Sequence, residues 1–95
     1  MSRVALTIAT DHPAYAGHFP GAPVLPGAVL LDAALAAIEA AVPGRRWRIP
    51  VAKFLRAVRP GAPLELEFHP QPDGAIAFHV ESAGQTVADG TLRPA

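Results

Sequence analysis

His18 and Asp32 are the residues whose type and setting could do chemistry. His18 stands in Gly17-His18-Phe19-Pro20-Gly21-Ala22-Pro23-Val24-Leu25-Pro26-Gly27, a run of turn formers broken by apolar residues. An imidazole, with an ordinary pKa of about 6.5, suits proton transfer near neutral pH. Asp32 lies in the apolar stretch Ala28–Val42, too deep in a helical pattern to be an N-cap. A buried, unpaired Asp is costly, so Asp32 is expected to be paired or functional. A free Asp titrates at about 3.9. Burial would raise that value and keep a proton available for donation. Gly27 stands where the helix begins, and the free N–H groups and dipole of a helix N-terminus favour an anion. Plainer readings exist: a lone histidine is usually structural, and Gly21 and Gly27 could be turn glycines only.

The elements that must position these groups follow from periodicity. Val4, Leu6 and Ile8 alternate with Ala5, Thr7 and Ala9, a strand buried on one face. From Asp11 to Pro26 the pattern gives way to a sixteen-residue loop rich in Pro and Gly. A loop of that length is usually functional or disordered, and its prolines with Tyr15, Phe19, Val24 and Leu25 argue for order. Ala28–Ala41 is the strong helix, led in by Pro26-Gly27 and stopped by Pro43-Gly44. At 1.5 Å per residue it is roughly 21 Å long. Asp32 and Glu39 are its only charges, so it is expected to be buried nearly all round. Trp47–Ala57 reads as a strand with an irregularity at Pro50. Leu64, Leu66 and Phe68 alternate with Glu65, Glu67 and His69, and Ile76, Phe78 and Val80 with Ala77, His79 and Glu81. Pro72-Asp73-Gly74 is a hairpin turn signal, and Thr86–Leu92 is a last strand with Gly90 as a bulge. An antiparallel sheet wrapped around one hydrophobic helix, an α+β fold, satisfies this order within a single domain over residues 1–95.

Composition narrows the field. Eight Lys and Arg balance eight Asp and Glu, which excludes a generally basic nucleic-acid binder and a self-repelling acidic chain. With 51% apolar and 17% charged residues, burial dominates. A domain of this size buries only about 60–65% of its unfolded surface. A mean hydropathy of +0.26 therefore points to self-association. Absent cysteines exclude disulfides and thiolate metal sites and fit a cytoplasmic location. The apolar stretch Ala28–Val42 falls short of the roughly 20 residues that cross a bilayer, and no targeting segment is read at the start. No metal or cofactor is expected. His12 precedes Pro13 in the loop, while His69 and His79 fall on polar strand faces; with Glu81 they lack ligand-type spacing.

The His18 segment resembles the active-site signature of the 3-hydroxyacyl-ACP dehydratases, Gly-His-Phe-Pro-Gly-x-Pro-Val-Met-Pro-Gly with a carboxylate fourteen residues after the His, here Asp32. Lys53-Phe54-Leu55-Arg56-Ala57-Val58-Arg59-Pro60-Gly61-Ala62-Pro63-Leu64 resembles that family's second motif. The resemblance implies a hotdog fold and the dehydration of carrier-bound 3-hydroxyacyl thioesters to trans-2-enoyl thioesters. It also implies His18 as base, Asp32 as acid and the Gly27 N–H as oxyanion donor. Phe19, Gly21 and Pro26 would then shape the substrate site. Departures are Asp32, where the dehydratase-only branch has Glu, and Ala36, where the family has a supporting Gln. Asp is the acid of the branch that also isomerises the double bond. Short, Ala-rich members of this kind are similar to dehydratases of aryl-polyene pigment pathways.

Two other readings stand beside this one: a hotdog acyl thioesterase, and a non-catalytic hotdog subunit supporting a partner dehydratase. Partner expectations follow from charge and hydropathy. Arg45, Arg46, Arg48, Lys53, Arg56 and Arg59 hold six of the eight bases in a stretch without an acid, a docking patch for an acidic acyl carrier protein or else a solvated strand face. One short sheet cannot cover an all-apolar helix, so at least a homodimer is expected, with no nucleic acid or membrane partner. In the family each site takes its His from one subunit and its acid from the other.

Overall fold

The computed structural model describes residues 2–8, 25–59 and 61–95. In chain order these form β1 (Ser2–Leu6), α1 (Gly27–Ala41), β2 (Trp47–Phe54), β3 (Leu64–Pro70), β4 (Ile76–Ser82) and β5 (Gln85–Pro94). The five strands make one antiparallel sheet in the order β1-β3-β4-β5-β2.

The alternation seen in the sequence becomes the two faces of this sheet. Leu64, Leu66 and Phe68 of β3 and Ile76, Phe78 and Val80 of β4 point inward and are buried. They form one core with Leu92 of β5 and with Leu30, Ala34 and Ile38 of α1. Those three helical residues are spaced by four, so one stripe of α1 lies on the sheet. Ile8 follows the end of β1 and still packs against the core.

Local chemistry sets the turns and irregularities. In the β3–β4 hairpin the Gln71 N–H donates to the Ala75 carbonyl at 2.7 Å, and the Ala75 N–H donates to Asp73 Oδ1 at 3.1 Å. Gly74 takes φ +89°, a left-handed conformation costly for other residues. The ladder between β2 and β5 slips between Arg48 and Val51, at Pro50, which lacks an N–H to donate.

Two expectations are corrected, on the helix and on Gly90. The helix is not buried all round: Ala28, Asp32, Ala36 and Ala40 form an exposed stripe opposite the buried one. A single sheet covers one side of a cylinder, and alanine-rich turns offer no bulk to fold back. Gly90 is not the bulge. It pairs in register with Phe78 and Ala52, and the β4–β5 slip falls between Val80 and Glu81, leaving Val87 as the extra residue. A Cβ at Gly90 would stand 2.6 Å from the Val51 carbonyl oxygen and 2.9 Å from the Phe78 ring, so glycine there admits the close approach of β2 and of the ring. Glu67 lies on the outer face as read, yet is only 7% exposed, because Arg3 and two imidazoles crowd it.

Candidate active site

The polypeptide enters α1 through Leu25-Pro26. Pro26 is the N-cap residue, at φ −61° and ψ 140°, and provides no side-chain cap. Its carbonyl accepts from the N–H groups of Val29 and Leu30 at 3.1 and 3.3 Å. Gly27 is the first residue of the helix, where an N–H has no partner four residues back. The positive end of the helix dipole therefore coincides with a main-chain donor that the helix leaves unused.

The second sequence motif reaches this point through the end of β2 and the segment after it. The Leu25 N–H donates to the Val58 carbonyl at 2.7 Å, tying the helix entry to the segment after β2. The Leu55 N–H donates to the Val87 carbonyl at 2.9 Å and holds that segment to β5. The Phe54 ring lies on Gly27: a Cβ built there would sit 2.5–2.9 Å from three ring carbons. Between the two segments opens a cleft of about 550 Å³, lined among others by Leu25, Gly27, Phe54, Leu55, Arg56 and Val58. Its walls are apolar, with Arg56 and the helix N-terminus on the positive side. Such a cleft suits an acyl chain ending in a group that gathers negative charge.

Asp32 lies five residues beyond Gly27, about 7.5 Å along the helix axis. It is exposed on the face of α1 turned from the sheet, so this chain by itself does not bury it as expected. Ala36, one turn on, is exposed on the same stripe. His18, Phe19 and Gly21 lie outside the described residues, as does Tyr15. Arg45, Arg46, Arg48, Lys53, Arg56 and Arg59 are all exposed, and the Arg45 guanidinium lies 6.0 Å from the centre of the Trp47 ring. The sequence reading singled out Gly27 for its N–H but did not give Phe54 and Leu55 a place in the site; their motif was the available signal.

A second constellation lies on the outer face of the sheet. Glu67, His69 and His79 come within ligand distance of one another there, although no metal was expected. Their spacing along the chain is uninformative because the β3–β4 register, Glu67 opposite His79, joins them.

Comparison with known proteins agrees with the motifs. A family model described as ApeI-like, ApeI dehydratase, matches residues 1–91. The 3-hydroxyacyl-[acyl-carrier-protein] dehydratase FabZ of Anaeromyxobacter sp. (strain Fw109-5) is 36% identical over a 100-residue alignment, covering 87% of this chain and 63% of its own length. The chain spans less than two thirds of the length of the curated FabZ relatives it matches. The dehydratase heterocomplex ApeI:P of Xenorhabdus doucetiae contains a chain of the same fold, with TM-score 0.82 and 24% identity over 97% of this chain and 84% of that one. A mutant of the fluoroacetyl-CoA-specific thioesterase FlK also shares the fold, with TM-score 0.63 and 14% identity over the same shares. The fold is thus the hotdog, α+β as read, and it hosts more than one chemistry.

Proposed function

The chain belongs to the ApeI-like dehydratase family, and we propose that it is a hydro-lyase removing water from 3-hydroxyacyl chains carried as thioesters on an acyl carrier protein. The observation that carries this reading is the meeting of Leu25-Pro26-Gly27, the end of the first motif, with the second motif at the start of α1, where they frame a largely apolar cleft around the Gly27 N–H. The reaction needs a base at C2, an acid at the C3 hydroxyl and a donor for the thioester oxygen. In the proposed mechanism the His18 imidazole takes the C2 proton. The C3–O bond breaks as Asp32 gives its proton to the departing hydroxyl, and water and a trans-2-enoyl thioester result. The Gly27 N–H holds the charge that builds on the thioester oxygen. Phe19, Gly21 and Pro26 shape the approach to it.

Asp32 needs a partner surface to become the buried acid this mechanism requires. The exposed stripe Ala28-Asp32-Ala36-Ala40 and the outer edge of β2, unpaired among the described residues, with Val51, Phe54 and Leu55 each more than half exposed, offer one. We therefore propose a two-fold dimer in which Asp32 of one protomer meets His18 of the other. Arg56 lines the cleft, and the exposed bases of the stretch from Arg45 to Arg59 would receive an acidic carrier protein.

The test is mass spectrometry of 3-hydroxyacyl-ACPs of several chain lengths incubated with the purified chain. Loss of the mass of one water is expected. Thiol release without that loss would favour the thioesterase chemistry of the FlK neighbour. If neither occurs until a partner dehydratase is added, the chain is a supporting subunit and the proposal fails.

A further inference from the structure

We propose that Glu67, His69, His79 and Glu81 form a binding site for a late first-row divalent cation, with zinc as the best-fitting ion, on the sheet face opposite α1. The argument begins with a buried charge. The Glu67 side chain is 9% exposed, and its outward neighbours on β1, β3 and β4 are Arg3, Glu65, His69, His79 and Glu81. Arg3 pairs with both Glu65 and Glu67. With neutral imidazoles, three carboxylates and one guanidinium leave a local charge of −2, the complement of a divalent ion.

Geometry agrees with charge. His69 Nε2 lies 3.3 Å from Glu67 Oε1, and His79 Nε2 lies 3.7 Å from Glu67 Oε2. Zinc binds imidazole nitrogen and carboxylate oxygen at about 2.0–2.2 Å, so two ligands on a tetrahedral zinc stand roughly 3.4 Å apart. The observed distances bracket that value. One donor atom from each of Glu67, His69 and His79 falls within 4.8 Å of the others. The imidazole planes are 28° apart with centres separated by 6.4 Å, so the two rings stand side by side on the outer face of the sheet. Glu81 Oε2 shares a hydrogen bond with His79 Nε2 at 2.8 Å; an ion would replace the shared proton, and Glu81 would then move off by about 0.6 Å to become the fourth ligand. The histidines are 35% and 27% exposed, so an ion has a path in. Two imidazoles with carboxylates suit zinc and its neighbours and suit magnesium or calcium poorly. The ion would staple β3 to β4 across the sheet from the proposed catalytic cleft, independently of that reading.

The test is equilibrium binding of ZnCl₂ to the chelator-stripped full-length chain, with Co²⁺ as a spectroscopic reporter. One equivalent per chain is expected, with the intense visible absorption of four-coordinate Co²⁺. His69→Ala and His79→Ala should each weaken zinc binding at least ten-fold, while His12→Ala should leave it unchanged; far-UV circular dichroism checks that each variant is folded. Should either cluster variant fail to fold, the Co²⁺ spectrum and stoichiometry of the wild-type chain decide. The absence of a four-coordinate spectrum, or full affinity in both folded cluster variants, would overturn the site.

Discussion

Removing the imidazole of His18 should take away a general base worth about 10²–10⁴-fold in rate. His18→Ala is therefore expected to lose turnover of a 3-hydroxyacyl-ACP while its thermal midpoint holds. A wild-type rate would refute the assignment. Gly27→Ala asks a subtler question, because the substitution keeps the N–H. The new methyl group would collide with the Phe54 ring, which is 52% exposed in the single chain and can tilt aside there. Little stability should be lost. The wall of the cleft moves, however, and the donor's aim with it, so kcat should fall by part of the 10²–10³-fold typical of a lost oxyanion donor. A lowered midpoint with an unchanged kcat would reduce Gly27 to a packing role. At this scale the sequence is informative where a group's role rests on its type and on distance along the chain, as for Gly27 at a helix start. It is silent where neighbours meet only through strand register. Nothing in the spacing of Glu67, His69 and His79 announces that β3 and β4 set Glu67 opposite His79. The exposure of Asp32 is equally hidden, since apolar residues all round a helix do not say which stripe one sheet will cover.

Among the elements, α1 depends on three residues. Leu30, Ala34 and Ile38 are its buried stripe, and Ile38 is wholly enclosed. Ile38→Ala should cost about 2–5 kcal/mol, read as a fall in the denaturant midpoint at constant m-value. A cost below 1 kcal/mol, by the same core-truncation scale, would mean that the helix does not seat as described. The β3–β4 hairpin carries a pH signature. The Ala75 N–H, and after it the Arg93 guanidinium, hold the Asp73 carboxyl below its ordinary range. A folded pKa below the unfolded one contributes stability above the unfolded value and loses it as pH falls through the folded one. Asp73→Asn should therefore flatten the acid side of the stability–pH curve and leave the neutral side with only the lost hydrogen bonds. An unaltered acid slope would remove Asp73 from that account. Strands β3 and β4 were legible because strict alternation has one physical meaning, a sheet with one wet face. The bulge was misplaced because glycine marks both an irregular backbone and a close approach, and at Gly90 the Val51 carbonyl and the Phe78 ring make it the second.

For the whole molecule, the exposed stripe of α1, the outer edge of β2 and the acid-free stretch that carries six of the eight bases make separate demands on partners. Electrostatic steering acts mainly on association and fades with salt. The apparent KM for an acyl carrier protein substrate should rise steeply with ionic strength, and Arg45→Glu/Arg46→Glu should reproduce that rise at low salt. A flat response would reassign the bases to a solvated face. The dimer proposal makes the sharper claim, because it divides one site between two protomers. His18→Ala and Asp32→Ala homodimers should each be nearly inactive. Unfolded and refolded together in equal amounts, random two-fold pairing makes about half of the dimers mixed. In a mixed dimer one site carries both substitutions and the other carries neither. About a quarter of the wild-type activity should then return, measured on the same substrate and with mixed dimers quantified by native mass spectrometry. If mixed dimers are present and no activity returns, His18 and Asp32 must act within one protomer, and the exposed face of α1 needs another explanation.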